Sequence, residues 1–363
     1  MKHLFVDISS HGFGHLAQVA PILGALRAQL PALRLTIRCG LPETRVRSRI
    51  PEQFSYVEDS SDFGFAMRNA VSIDLSATAV RYQTVHATWL NRVDAEARFL
   101  DTLRPDLVLT DVAYLPLAAA ARVGIPAMSM CSLNWADLFA HFFGGESWAA
   151  PIHAEMLAAY CSAARFLRLT PAMPMLALPN TEAVGPVASL GTEHGSMLRE
   201  TLRCEGDERT VLIAFGGVDH DLRVDHWPEI PGVRWLVPQI WNIARPDMAA
   251  FEPLGFVFTD LLASVDAVLT KPGYGTFVEA ACNRTAILYQ RRKNWPEQDC
   301  LIEWLKENGR CHEIEASTLA GGHWQTEFEA LWAQPMPPAP HPSGIAQMVA
   351  LLRAGLRADN QSL

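Results

Sequence analysis

Apolar residues in this chain come in short blocks, and each block is followed by a stretch in which they recur every three or four positions. "HLFVDIS" at the start predicts a buried strand, and Leu16, Val19, Ala20, Leu23 and Leu26 then repeat at helical spacing. "LRLTIRCG" predicts the next strand. Residues 51–104 are less regular and hold one expected helix, around 87–103. "PDLVLTD" (105–111), a helix in "LPLAAAARVG" and the strand "IPAMSMC" (125–131) restore the rhythm. Strand and helix alternating in this way imply parallel strands with helices on both faces.

A second series follows "PNTEAVGPVASLG" (179–191), a Pro/Gly-rich stretch expected to be a linker. It runs through "TVLIAFGG", "VRWLVP", "GFVFTD", "DAVLTKPGYGTFVEAAC" and "TAILYQ", a helix from Glu297, and "CHEIE". The expected fold class is therefore α/β, with two tandem doubly wound Rossmann-like domains, 1–178 and 179–340. The proline cluster 335–342 precedes a last helix within 341–363, expected to pack back on the first domain. Open α/β sheets bind ligands outside the carboxyl ends of their strands. "SHGFGH", "TDVAY", "CSLNW", "FGGVDH" and "TKPGYGT" all fall at such ends, so two domains facing a cleft are expected.

Composition narrows the partners. With 49% hydrophobic and 19% charged residues there is little room for disorder. A formal charge of −9 argues against a nucleic-acid footprint, which should be basic. The seven cysteines are scattered without a C-x-x-C pair, a reduced pattern rather than a disulfide or zinc framework. The first apolar run, Leu4 to Ile8, is too short for a signal or membrane segment, and a cytoplasmic protein is expected.

Chemistry concentrates in the loops. "KPGYGT" follows a strand and opens a helix whose first-turn amides suit phosphate oxygens, with Lys271, Gly273, Tyr274, Gly275 and Thr276 on the loop. Glu279 sits one turn further in, near enough to accept from ribose hydroxyls, and Glu297 and Gln298 start another helix at the same edge. In "SHGFGHLAQ", His11 and His15 stand four apart, which suggests zinc if both lie on one helix face. Gly12 and Gly14 make a helix poor there, and no Glu follows His11 as a base; a G-x-G-x-x-G fingerprint is absent as well. "SLNWADLF" places Asn134 and Trp135 at another strand end, a polar and aromatic grip for a sugar or acceptor. The apolar "FAHFFGGESWAA" suits core packing or a domain contact, with a lipid-like acceptor or membrane contact as the alternative. "DHDLRVDHW" (219–227) is taken as a solvated loop, and no metal or other cofactor is expected.

Residues 266–309 resemble the nucleotide-sugar half of GT-B glycosyltransferases. The chain is similar to the N-acetylglucosaminyltransferase of peptidoglycan synthesis and, more closely, to the glycosyltransferase-like N-terminal domain of arabinokinases. The likeness covers nearly the whole chain, with "HGFGH", "PDLVLTDV", "SLNW" and "KPGYGT" in the same order. It implies that the Gly-rich turn binds a diphosphate, Glu279 the ribose, and Glu297 with Gln298 the donor sugar. "AFGG" (214–217) matches the turn that opens the donor domain, so Gly216 and Gly217 join the donor set. Small-molecule UDP-glycosyltransferases carry a Gly-His pair at the first strand end, and the histidine is their general base. His15 takes that place here, and Asp111 matches the aspartate that holds it. The proline common three residues after that histidine is displaced to Pro21, six later.

The resemblance implies inverting transfer of a sugar, from a UDP-sugar donor bound by the second domain to an acceptor hydroxyl on the first, without a metal. His11, Gly12, Phe13, Gly14, Asn134 and Trp135 are the expected acceptor contacts, and His11 is the alternative base. A nucleotide-sugar epimerase and a non-catalytic sugar-nucleotide sensor are the rival readings.

Overall fold

A computed structural model describes residues 1–51, 53–216, 222, 224–321 and 324–357. The chain divides into two compact units. One comprises Met1–Arg68, Ile73–Val187 and Ser343–Leu363; the other comprises Asn69–Ser72 and Ala188–Pro342.

The first unit opens with β1 (His3–Ile8), α1 (Phe13–Gln29), β2 (Arg34–Cys39), α2 (Glu43–Arg49) and β3 (Ser55–Glu58). A ribbon of β4 (Met67–Asn69) and β5 (Ser72–Ile73) precedes α3 (Leu75–Ala87) and α4 (Trp89–Leu103). Next come β6 (Leu107–Asp111), α5 (Leu115–Val123), β7 (Ala127–Cys131), α6 (Trp135–Phe143), α7 (Ala149–Cys161), β8 (Arg165–Leu169) and β9 (Thr181–Val184). Seven strands form one parallel sheet in the order β3-β2-β1-β6-β7-β8-β9. Every residue of β1, β6 and β7 is buried, as strands covered on both faces must be. One charged cluster is buried with them. Arg38 on β2 reaches Asp7 on β1 (Nε to Oδ2, 2.7 Å) and Glu96 on α4 (Nη1 to Oε2, 2.9 Å), so each charge has a partner.

The second unit contains α8 (Gly195–Leu202), β10 (Arg209–Ile213), β11 (Val233–Val237), β12 (Met248–Ala250), α9 (Phe258–Ser264) and β13 (Ala267–Thr270). It continues through α10 (Tyr274–Cys282), β14 (Ala286–Tyr289), α11 (Glu297–Asn308), β15 (Cys311–Glu313), α12 (Ala316–Gly321) and α13 (Trp324–Trp332). Its parallel sheet runs β12-β11-β10-β13-β14-β15, and Trp227, Trp235 and Trp324 pack together in its core. The chain then rejoins the first unit as α14 (Gly344–Arg357), which lies against α1, with Arg353 donating to Gln29 at 2.6 Å. Both sheets reverse direction beside their first strand, between β1 and β6 and between β10 and β13. Loops from neighbouring strands part at such a point and leave a crevice.

Two expectations are corrected. The irregular region holds α3 as well as α4: Asp74 accepts from Ala77 N at 3.0 Å and caps a helix whose apolar periodicity is weak. The stretch 179–191 is not linker throughout. Thr181–Val184 pair in register with Phe166–Leu169, and Val184 is buried, so the first unit reaches past residue 178. Flanking Pro and Gly hid four residues that a waiting sheet edge could pair.

Candidate functional site

At the reversal in the first sheet, Ile8 ends β1 in register with Asp111, the last residue of β6. The chain turns, with Gly12 N–H donating to Ser10 O at 2.8 Å, and α1 begins at Phe13. His15 therefore falls in the first helical turn, and its Nδ1 lies 3.0 Å from Asp111 Oδ2 and 3.3 Å from Oδ1. The helix includes Gly14, against the expectation. Burial of Leu16, Val19, Leu23 and Leu26 outweighs a glycine cost of about 1 kcal/mol. His11 precedes the helix, so the two histidines do not share a helix face; their ring centroids are 6.4 Å apart.

His15 is 6% exposed and Asp111 fully buried. Burial opposes charging the imidazole, but the Asp111 carboxylate outweighs it and holds His15 well above the ordinary value of 6.5. In the neutral ring the same carboxylate favours the tautomer with its proton on Nδ1, which puts the lone pair on Nε2.

Cys131, ending β7, brings Sγ within 3.9 Å of His15 Nδ1, and burial pushes its thiol up to about 11. His15, Asp111 and Cys131 offer donor atoms within 4.8 Å of one another, a set that suits zinc by type. A metal there would need the thiolate that burial disfavours and would displace the His15–Asp111 contact.

Around the pair, Trp135 stands 5.8 Å from His15 and 5.3 Å from His11, centroid to centroid. Its Nε1 donates to Asp62 Oδ2 at 2.7 Å, and Ser9 Oγ donates to Asp62 Oδ1 at 3.1 Å. Burial pushes the Asp62 carboxyl up to about 6. Gly64 (φ +57°) brings its loop so close that a Cβ there would lie 2.9 Å from both His11 and Trp135. Asp62 and Gly64 were missed in the sequence, since "SSDFG" belongs to no periodic element.

Among the expected acceptor contacts, Phe13 is exposed, with Arg45 5.8 Å from its ring centroid. Asn134 Oδ1 accepts from Asp137 N at 2.7 Å and caps α6, so its oxygen shapes a helix start. Phe139 and Phe143 of the apolar stretch are buried against Tyr82 and Trp148, which is core packing. No helix among the described residues is long and apolar enough to cross a membrane.

The reversal in the second sheet carries the glycine turns. Gly216 (φ +83°) follows β10, and a Cβ there would meet Lys271 Nζ at 3.8 Å; one at Gly273 would meet it at 3.9 Å. Lys271 thus lies against both turns. Gly217 and the "DHD" of 219–221 lie outside the described residues. Gly273 precedes α10 without a side-chain cap, so first-turn amides at Tyr274, Gly275 and Thr276 take partners from outside the helix. Glu279 is 1% exposed.

Desolvation, with Arg292 nearby, pushes Lys271 down to about 7, and desolvation pushes Arg292 down to about 10. Arg292, which the sequence reading missed, stacks 3.7 Å from the Trp295 ring centroid, and Trp295 Nε1 donates to Glu297 at 3.0 Å. "YQRR" was a visible strand end, but nothing in the pattern said which arginine turns inward. Gln298 orders the neighbouring loop. Its amide accepts from Arg292 N (2.9 Å) and donates to Arg292 O (3.1 Å), so it holds that loop.

No protein-family profile matches the chain. An Arabidopsis thaliana L-arabinokinase is 24% identical over 343 residues, which cover 90% of this chain and 32% of that protein. The chain thus spans about a third of the length of this curated relative. Among solved structures, the calicheamicin glycosyltransferase CalG4 matches with TM-score 0.60 at 14% identity, over 98% of this chain and 94% of that one. Arabidopsis thaliana UGT89C1 complexed with UDP matches with TM-score 0.58 at 14% identity, over 99% and 100%. The spinosyn rhamnosyltransferase SpnG complexed with thymidine diphosphate matches with TM-score 0.55 at 16% identity, over 98% and 96%. The chain has the fold of these proteins, GT-B.

Proposed function

We propose that this chain is a metal-independent, inverting glycosyltransferase that moves a sugar from a nucleotide sugar, UDP-linked, to an acceptor hydroxyl. The observation that carries the reading is the buried His15–Asp111 pair at the reversal of the first sheet in a GT-B chain. Neutral His15 takes the hydroxyl proton on Nε2 as the oxygen attacks the anomeric carbon. The bond from that carbon to the diphosphate oxygen breaks, and the nucleoside diphosphate leaves with the electron pair. One displacement inverts the centre. Asp111 keeps the Nδ1 proton in place and stabilises the imidazolium that forms.

The leaving diphosphate needs positive charge. Helix α10 offers its N-terminus, Gly216 and Gly273 permit close backbone approach, and Lys271 lies against both. Arg292 adds a second cation near Lys271, while Glu279 and Glu297 take the ribose and the donor sugar. Gln298 supports them by ordering the loop at Arg292.

A second reading, binding a sugar nucleotide without transfer, draws on the likeness to part of an L-arabinokinase. One experiment separates the readings. The full chain is incubated with a panel of UDP-, dTDP- and GDP-sugars, with and without hydroxyl acceptors, and products are followed by mass spectrometry and NMR. Transfer requires a glycoside of inverted configuration, lost in His15→Ala. An isomerised sugar nucleotide formed without acceptor would make the chain an epimerase. Donor binding with neither transfer nor hydrolysis would make it a sensor.

A further inference from the structure

The first unit holds a pocket of about 390 Å³ beside the catalytic pair, within the size range of small-molecule sites. Phe63, Tyr82, Tyr114 and Trp135 form an aromatic wall, and Arg81 and Arg92 line the same space. Trp135 is shared: it lines the pocket and stands 5.8 Å from the His15 ring.

The two arginines lack acidic partners among the described residues. Arg81 lies 5.0 Å from the Phe63 ring centroid, and the buried Nε of Arg92 has no hydrogen-bond partner. Acids on the surrounding elements are engaged elsewhere. Glu155 pairs with His86 (2.6 Å), Asp94 with Arg122 (2.7 Å) and Glu96 with Arg38 (2.6 Å). Asp62 also lines the pocket, but Trp135 and Ser9 each donate to one of its oxygens, and burial pushes its carboxyl up. Tyr114 Oη is 2.9 Å from His86 Nε2 and is thereby fixed in place.

Two guanidinium groups without an ion-pair partner among the described residues thus stand beside an aromatic wall. The half-buried Arg92, with its Nε unpartnered, is costly, and an arriving anion relieves that cost through charge-assisted hydrogen bonds, to which the exposed Arg81 adds a second set of donors. We propose that this pocket binds a ring-bodied ligand bearing a carboxylate or phosphate group, with the ring on the aromatic wall and the anion on Arg81 and Arg92. On the glycosyltransferase reading, this ligand is the acceptor, an anionic aromatic or cyclic alcohol.

Isothermal titration of the full chain tests the pocket without relying on transfer. The probes are para-hydroxybenzoate and phenyl phosphate, each beside an uncharged counterpart, para-hydroxybenzamide and phenol. The charged probes are expected to bind at least about tenfold tighter, and the tighter of the two identifies the anion as carboxylate or phosphate. Arg81→Gln/Arg92→Gln should abolish the preference, and Arg92→Lys should retain most of it, with circular dichroism confirming the fold. Equal affinity for charged and uncharged probes, no binding of any probe, or a preference surviving the double substitution would overturn the proposal. Charge-selective binding with no glycoside from any nucleotide sugar would uphold the pocket and count against the transferase reading instead.

Discussion

Replacing Asp111 by Asn keeps the shape of the buried pair and removes its charge. In the native chain, burial and the carboxylate pull His15 in opposite directions, and the carboxylate prevails. With Asn, burial is the main influence left, so the imidazole should fall below its ordinary value of 6.5. On the proposed mechanism, turnover requires neutral His15. The native rate should therefore rise with pH and level off only well above 6.5, whereas the variant should level off below it. The variant plateau should nevertheless be lower. The weaker base, with an amide able to hold the wrong tautomer, loses much of the general-base contribution, about 10²–10⁴ in rate. That is roughly 3–5 kcal/mol of barrier. The deficit should be largest in alkaline buffer and shrink toward acid, where native His15 is itself protonated. The assay is release of nucleoside diphosphate across the pH range, from the sugar nucleotide and in the presence of the acceptor that the panel identifies, with nucleotide affinity measured in parallel to show that donor binding is intact. An unmoved acid limb, or a plateau equal to the native one, would mean that turnover does not report His15 held by Asp111.

Four further outcomes follow from the same geometry. His15→Ala should lose about 10²–10⁴ in turnover with donor affinity kept, and His11→Ala should lose less, mainly in acceptor affinity; the reverse order would move the base to His11. Glu279→Ala should weaken UDP and UDP-sugar alike by about 1.5–3 kcal/mol, and unchanged calorimetric binding would remove Glu279 from the ribose site. Lys271, pushed down to about 7, should be recharged by an incoming diphosphate. UDP binding near pH 8 should then take up protons, seen in buffers of different ionisation enthalpy, and affinity should fall as pH rises above about 7; zero proton uptake would place the diphosphate elsewhere. Turnover should survive exhaustive EDTA, whereas a loss restored only by magnesium or manganese would require a metal.

Much of the fold could be read from the linear pattern, because both causes are local. Fully apolar runs such as Leu107–Leu109 make strands buried on both faces, and a 3.6-residue repeat such as Leu16–Leu26 makes the helix that covers them. Glycine turns at strand ends were equally visible, and with them His15, Asp111, Lys271 and Gly273. The elements that eluded the pattern owe their state to neighbours. Thr181–Val184 is a strand because β8 offers an open edge, and Gly14 is helical because the apolar residues after it are buried. At the site the division is sharper. Residue type alone could nominate Asn134, Gln298 and Trp135 for ligand contact. Packing then committed the Asn134 oxygen to a helix cap, the Gln298 amide to the backbone of Arg292 and the Trp135 indole to Asp62. It also left Arg81 and Arg92 without an ion-pair partner among the described residues while nearby acids such as Glu155, Asp94 and Glu96 found other partners. Which hydrogen bonds and charges remain available to a ligand depends on every partner within reach, and reach is a property of three-dimensional distance that no spacing along the chain records.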